Sequence, residues 1–253
     1  MLVSTPRTAL VTGAGRGIGR EIAVRLAAAG HRVALAARNK AELDQTAAEV
    51  PDHLVVPVDL TAPGSVEELF GRVEAEWGPV EILVANAGTA SSAPIARVTD
   101  EDWQRLLDIN LTAPFRCIRR AVPAMTAAGW GRVVVIGSIA SRVGAPYIAA
   151  YTASKHGVLG LVRSVAAELA ATGVTVNAVC PAYVDTPMTD ASIANVAART
   201  GRSGEDSRAY FEKLQPIGRL ITVEEVAAAV LFCVDNGAVT GQGINVDGGA
   251  VPS

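Results

Sequence analysis

The sequence predicts an α/β protein built on a doubly wound parallel sheet of seven strands, with helices on both faces. Three observations predict it. Short β-branched runs alternate with longer helical ones along all 253 residues. The strand runs are almost continuously apolar, as in Arg132-Val-Val-Val-Ile-Gly137 and Val174-Thr-Val-Asn-Ala-Val179, the pattern of strands covered on both sides. Nothing resembling a linker, a charge run or a low-complexity segment interrupts the alternation, so residues 1–253 read as a single domain.

Taken in order, the strands fall at 7–12, 32–37, 53–58, 81–85, 132–137, 174–179 and 243–247. Gly30 stops the first helix, and Gly78-Pro79 ends the third before the Val80–Ala85 strand. Ser65 followed by Glu68, and Thr222 followed by Glu225, have the spacing of capping boxes. A long helix is expected over 150–172, with Val158, Leu159, Leu161, Val162, Val165 and Leu169 spread over more than one face, which suits an oligomer interface. Repeated β-α-β units with right-handed crossovers then give the open sheet. The exception is 186–217, rich in Ser, Thr, Arg and Asp and containing Thr200-Gly-Arg-Ser-Gly204. It follows the C-terminal end of a strand, the edge where such sheets bind ligands, and is expected to be a small helical lid over the substrate.

Composition excludes several functions. A formal net charge of −3 offers no long-range attraction for nucleic acid or an anionic membrane. Cys117, Cys180 and Cys233 are scattered with no CxxC pair, which argues against a disulfide framework and fits a reducing cytoplasm. His31, His53 and His156 form no ligand cluster, so no metal is expected. Thr8-Ala-Leu-Val-Thr12 begins a strand almost at once, leaving no room for a signal peptide, and no apolar run reaches membrane-spanning length.

Thr12-Gly-Ala-Gly-Arg-Gly-Ile-Gly19 lies between the first strand and the first helix. Gly13 permits a tight turn, Gly17 lets the backbone approach a pyrophosphate, and Gly19 allows close helix packing, with helix N-terminal amides facing the anion. In this strand–turn–helix context the motif predicts a dinucleotide-binding Rossmann fold. An NAD enzyme of that fold carries an acid at the end of the second strand; here Ala37 holds that position and Arg38 follows. A guanidinium suits a phosphate dianion, and Arg16 is placed to help, so NADP(H) is preferred with NAD(H) possible.

Of the four tyrosines, only Tyr151 has a lysine four residues on. On a helix, Tyr151 and Lys155 share a face, and a nearby ammonium is expected to lower the phenol's pKa toward working pH. Ser138 ends the fifth strand, where its hydroxyl can donate to an oxygen that gains charge.

The glycine spacing GxxxGxG, Asp59-Leu60, Asn86-Ala87-Gly88, Asn110, Ser138, Tyr151 with Lys155, Pro181 with Thr186, and Asp247-Gly-Gly249 occur in one order along the chain. In that order they resemble the short-chain dehydrogenase/reductase family over essentially the whole length, and within it 3-oxoacyl reductases and 3-hydroxyacyl dehydrogenases. The resemblance implies hydride transfer between nicotinamide and a carbonyl or alcohol carbon, with Tyr151 as acid/base and Asn110, Ser138 and Lys155 completing the catalytic set. Asn110 would hold a water leading from the lysine to solvent, and Lys155 the nicotinamide ribose. Asp59 would meet the adenine, and Ile18, Leu60, Asn86, Ala87, Gly88, Pro181, Val184 and Thr186 would add cofactor contacts. Two positions depart from the family pattern: Ala85 replaces the first asparagine of the fourth-strand motif, and Ala182 replaces the glycine after Pro181.

The family is commonly tetrameric, so a homotetramer is expected. Members acting on carrier-protein substrates tend to carry arginines at positions matching Gly129 and Thr172; their absence here favours a CoA thioester or a free small ketone. Arg116, Arg119 and Arg120 read as an interface or exposed face, and Ile139, Ala140, Ser141, Tyr147, Tyr183 and the lid as the substrate pocket. Two other readings stand beside this one: an NAD-dependent alcohol or 3-hydroxyacyl-CoA dehydrogenase, and a dinucleotide-sensing protein without turnover.

Overall fold

The computed structural model describes residues 6–251. Its strands are β1 (Thr8–Thr12), β2 (Arg32–Ala37), β3 (His53–Pro57), β4 (Ile82–Ala85), β5 (Gly131–Ile136), β6 (Val174–Pro181) and β7 (Gly243–Val246). They form one sheet in the order β3-β2-β1-β4-β5-β6-β7. Every neighbouring pair is parallel, with Leu10 opposite Ala34 on one side and Leu83 on the other. The helices are α1 (Gly17–Ala28), α2 (Lys40–Ala47), α3 (Ser65–Trp77), α4 (Asp100–Leu107), α5 (Ala113–Ala128), α6 (Ala149–Leu169), α7 (Pro187–Thr200), α8 (Gly204–Lys213) and α9 (Val223–Asp235).

Two cores lie on opposite sides of the sheet, and the strands divide between them residue by residue, as a period of two requires. Leu10, Leu83, Val133 and Val176 pack with α3, α5 and α6. Ala9, Val11, Ile82 and Val134 pack with α1, α2 and α9. This explains why the strand sequences lack alternating polarity. The apolar surplus of α6 is absorbed largely within the chain: Val158, Leu159, Val162 and Leu169 are buried, with Leu161 and Val165 at the core's edge.

Local signals mostly act as the sequence implies. Thr222 and Glu225 form a reciprocal cap at α9, and Gly78 ends α3 with φ 84°. The Ser65 cap is a correction. Gly64, at φ 76°, precedes α3, and Ser65 is already inside the helix, its hydroxyl donating to the Ala62 carbonyl at 2.8 Å. Segment 186–217 folds as α7 and α8, joined across Gly201 and a Ser203 cap that accepts from Asp206 N. Ile193, Phe211 and Leu220 give these helices a small core of their own, closed by Tyr183 and Val196.

Candidate active site

Strand order reverses between β1 and β4, which opens a crevice at their C-terminal ends, where such sheets bind ligands. A cleft of about 1140 Å³ occupies that place, running from Arg38 and Asp59 to Ile148 and the lid residue Met188. The glycine turn forms its floor. Gly13 has φ 68°, and a Cβ there would meet Asn86 Nδ2 at 2.7 Å. A Cβ on Gly19 would lie 2.2 Å from the Gly13 carbonyl oxygen, so α1 can start against the turn only with glycine at that point.

Polar groups tie β4 to this turn. Thr12 Oγ1 accepts from the amides of Asn86 and Ala87, each at 3.0 Å, while Asn86 Nδ2 donates to the carbonyls of Thr12 and Gly13. The Asn86 side chain therefore builds the cradle. Gly17, Ile18, Leu60, Ala87, Gly88 and Thr186 line the cleft as well, and Thr186 faces Gly17 across it. Pro181 and Val184 do not line it: Pro181 closes β6, and Val184 is buried, paired with Ile221.

At the outer end, Ala37, Arg38 and Asn39 line the cleft where an acid would select an unphosphorylated ribose. Arg16 lies nearby, but its guanidinium pairs with Glu42 at 3.3 Å. That pair is exposed and easily redirected. Asp59 Oδ1 accepts from Thr61 Oγ1 at 2.7 Å and Thr61 N at 3.0 Å; these bonds hold its carboxyl below the usual range. An anion-receptive floor, an extended cleft and a cation in place of the expected acid fit a phosphorylated dinucleotide.

Tyr151, Ser138 and Lys155 are not among the residues that line the cleft; Lys155 approaches it from behind Gly88, where a Cβ would lie 3.7 Å from its Nζ. Tyr151 and Lys155 stand one turn apart on α6, with the Lys155 nitrogen 5.8 Å from the phenol ring centre. The ammonium donates to the Ile136 carbonyl at 2.8 Å, and burial lowers its pKa to about 8. The expected depression of the Tyr151 pKa does not occur: burial raises it, and the nearby Ser138 hydroxyl only partly opposes this. The lysine is itself desolvated and turned to a main-chain carbonyl, and its charge does not offset the burial of the phenol. Ser138 Oγ accepts from Ala140 N at 3.1 Å, which leaves its own proton free to donate.

Asn110 is buried beneath Gly88, in a π-helical turn, Asp108–Thr112, that joins α4 to α5. Its amide group is fully engaged: Oδ1 accepts from Thr89 N at 3.0 Å, and Nδ2 donates to Thr89 O at 2.9 Å and Ser154 Oγ at 3.1 Å. The side chain is therefore held to the Thr89 main chain and to α6.

Several neighbours escaped the sequence reading. Ser92, Ile148 and Asn195 line the cleft, and Asn195 Nδ2 donates to Ser92 Oγ at 3.2 Å, tying the lid to the loop after β4. No motif marks them. Tyr183, expected in the pocket, instead anchors the lid core, its ring T-stacked on Phe211 at 4.7 Å. Arg120 is no free surface cation, since it bridges Glu67 and Glu74 of α3.

An anion-cradling turn that opens toward a phenol held beside a buried amine is the arrangement of an α/β oxidoreductase. The comparisons narrow the class: the family model described as short chain dehydrogenase matches residues 7–197, and the chain belongs to that family. It is 36% identical to the D-beta-hydroxybutyrate dehydrogenase of Rhizobium meliloti, over 96% of this chain and 98% of that one. Identity to the 3-oxoacyl-(acyl-carrier-protein) reductase FabG of Escherichia coli is also 36%, over 96% of both. A crystal structure of a variant actinorhodin polyketide ketoreductase with NADPH superposes with a TM-score of 0.94 at 38% identity, covering 97% of each chain.

Proposed function

We propose that the protein is an NADP(H)-dependent ketoreductase that interconverts a ketone and a secondary alcohol, with Tyr151 as acid/base. Its substrate is a 3-oxoacyl thioester such as a CoA ester, or a free small ketone. The observation that carries this reading is the cluster of Tyr151, Ser138 and Lys155, its ammonium directly behind Gly88 of a cleft whose outer end presents Arg38 and no acid. The names of the relatives support the chemistry, and the ketoreductase with NADPH supports the cofactor.

Bound NADPH would supply the hydride that reduces the carbonyl carbon. Ser138 donates its free proton to the carbonyl oxygen and orients it. Tyr151 delivers a proton to that oxygen as charge develops, and its raised pKa suits it to act as a donor. Lys155 holds positive charge beside the resulting phenolate, and Asn110 would hold a water on the route back to solvent. Gly13, Arg16, Gly17, Ile18, Gly19, Arg38, Asp59 and Thr186 hold the dinucleotide, with Arg38 on the 2′-phosphate. Segment 186–217 serves as the lid. A CoA or free ketone is preferred to a carrier-bound chain because Gly129 is the left-handed end of α5 and Thr172 caps Leu169 O, so neither presents a cation.

The assembly proposed is a cytoplasmic homotetramer, supported by the exposed apolar Trp103 and Phe115 on α4–α5 and Phe232 on α9, and by three unpaired cysteines. The dehydrogenase name of one relative supports an oxidative, NAD-dependent alternative on the same residues.

The deciding experiment pairs a spectrophotometric screen of NADPH consumption over 3-oxo esters, acetoacetyl-CoA and cyclic ketones with cofactor titrations. Arg38→Ala should weaken NADP⁺ binding roughly tenfold or more and leave NAD⁺ binding within about twofold. Tighter NAD⁺ than NADP⁺ binding in the wild type, insensitive to Arg38→Ala, would establish the NAD-dependent alternative.

A further inference from the structure

Tyr147 has φ 70°, the only positive value outside glycine among the described residues. For a bulky aromatic residue this is strained backbone, costing on the order of 1–2 kcal/mol. The ring does not offset that cost by packing, since the residue is 64% exposed. Glycine would hold the same turn without strain. An aromatic that is both strained and left in water calls for a use outside the fold.

The backbone around it is held firmly. The Tyr147 carbonyl accepts from Ala93 N at 2.8 Å, joining the segment before α6 to the loop after β4. On either side of this bond are residues of the cleft wall: Ile148 follows Tyr147, and Ser92 precedes Ala93. Ser92 is held in turn by Asn195 of the lid. The bond therefore lies at the rim of the cleft, and Tyr147 is four residues from Tyr151. Two residues beyond Ala93 stands Ile95, 72% exposed. Ile95 and Tyr147 are the two most exposed large apolar residues described, and both flank this one backbone bond. Neither side chain lines the cleft itself; exposed apolar surface beside its rim is where a ligand that extends out of the cleft comes to rest.

We infer that Tyr147, with Ile95, forms an apolar platform at the cleft mouth that holds the non-reacting acyl chain of the carbonyl substrate while its ketone lies at Tyr151. This rests on the ketone-reducing reading proposed above. It makes Tyr147 a specificity residue that favours longer 3-oxoacyl chains over short ones.

The test compares kcat/KM of the intact protein for methyl 3-oxobutanoate and methyl 3-oxodecanoate with NADPH, in the wild type, Tyr147→Gly and Ile95→Ser, alongside melting temperatures. The ratio of long to short should fall about tenfold in Tyr147→Gly, chiefly through KM for the long ester, and fall in the same direction in Ile95→Ser. Tyr147→Gly should melt no lower than the wild type, because the strained position is relieved; a merely structural tyrosine would lower it. An unaltered ratio, or equal losses on both esters with a lowered melting temperature, would overturn the platform and leave the ketone-reducing reading standing. No turnover of either ester by the wild type would overturn that reading, and the platform with it.

Discussion

The Lys155 ammonium donates to the main-chain carbonyl of Ile136 at 2.8 Å, so a residue of β5 fixes the amine that faces the phenol on α6. Burial brings its pKa down to about 8. The charge that would stabilise a Tyr151 phenolate is thus present below that pH and lost above it. Reduction at limiting ketone is expected to decline about tenfold per pH unit beyond 8. A kcat/KM profile flat to about pH 10 would show that the ammonium is not needed.

His31 gives the protein an acid-sensitive point far from the cleft. It is buried and accepts from Arg7 N through Nδ1 at 3.3 Å. Burial lowers its pKa below 6.5; Asp235 and Glu81 act against that shift, and Arg7 reinforces it. The unfolded chain therefore takes up this proton first as pH falls. Its contribution to stability is complete above pH 6.5 and lost below it. Melting temperatures from about pH 8 down to pH 5 should drop more steeply in the wild type than in His31→Gln. Parallel curves would remove His31 from the account.

The small core of α7 and α8 sets how firmly the proposed lid holds together. Phe211 is buried against Tyr183, which in turn contributes to raising the Tyr151 pKa. Phe211→Ala should destabilise segment 187–213 by about 3 kcal/mol, visible as faster hydrogen exchange there, and raise KM more than it lowers kcat. Exchange accelerated equally throughout the chain would mean that the lid does not open as a unit.

How far the residues announce this structure depends on how local the signal is. The apolar strand runs place β1, β2 and β5 within a residue because burial on both faces leaves few other patterns possible. Tyr151 and Lys155 are legible because helix geometry alone brings them together. Ser65 misleads, since Gly64 can take a left-handed turn and begin α3 without a side-chain cap. The π-helical turn at Asn110 is not written in periodicity, though Pro114 hints at it by withholding one amide. The phenol's pKa could not be read because it depends on how deeply the fold buries Tyr151. The Ala93–Tyr147 bond and the Asn195–Ser92 contact join segments distant in sequence, and no spacing rule predicts them.

The most direct test of the central claim is single-turnover reduction by Tyr151→Phe, measured with NADPH binding on the same preparation. The phenylalanine keeps the ring and removes the hydroxyl that carries the proton. Turnover should fall by roughly a thousandfold while NADPH affinity stays within about twofold. Turnover within about tenfold of the wild type would contradict the account, because the proton would then have to come from elsewhere.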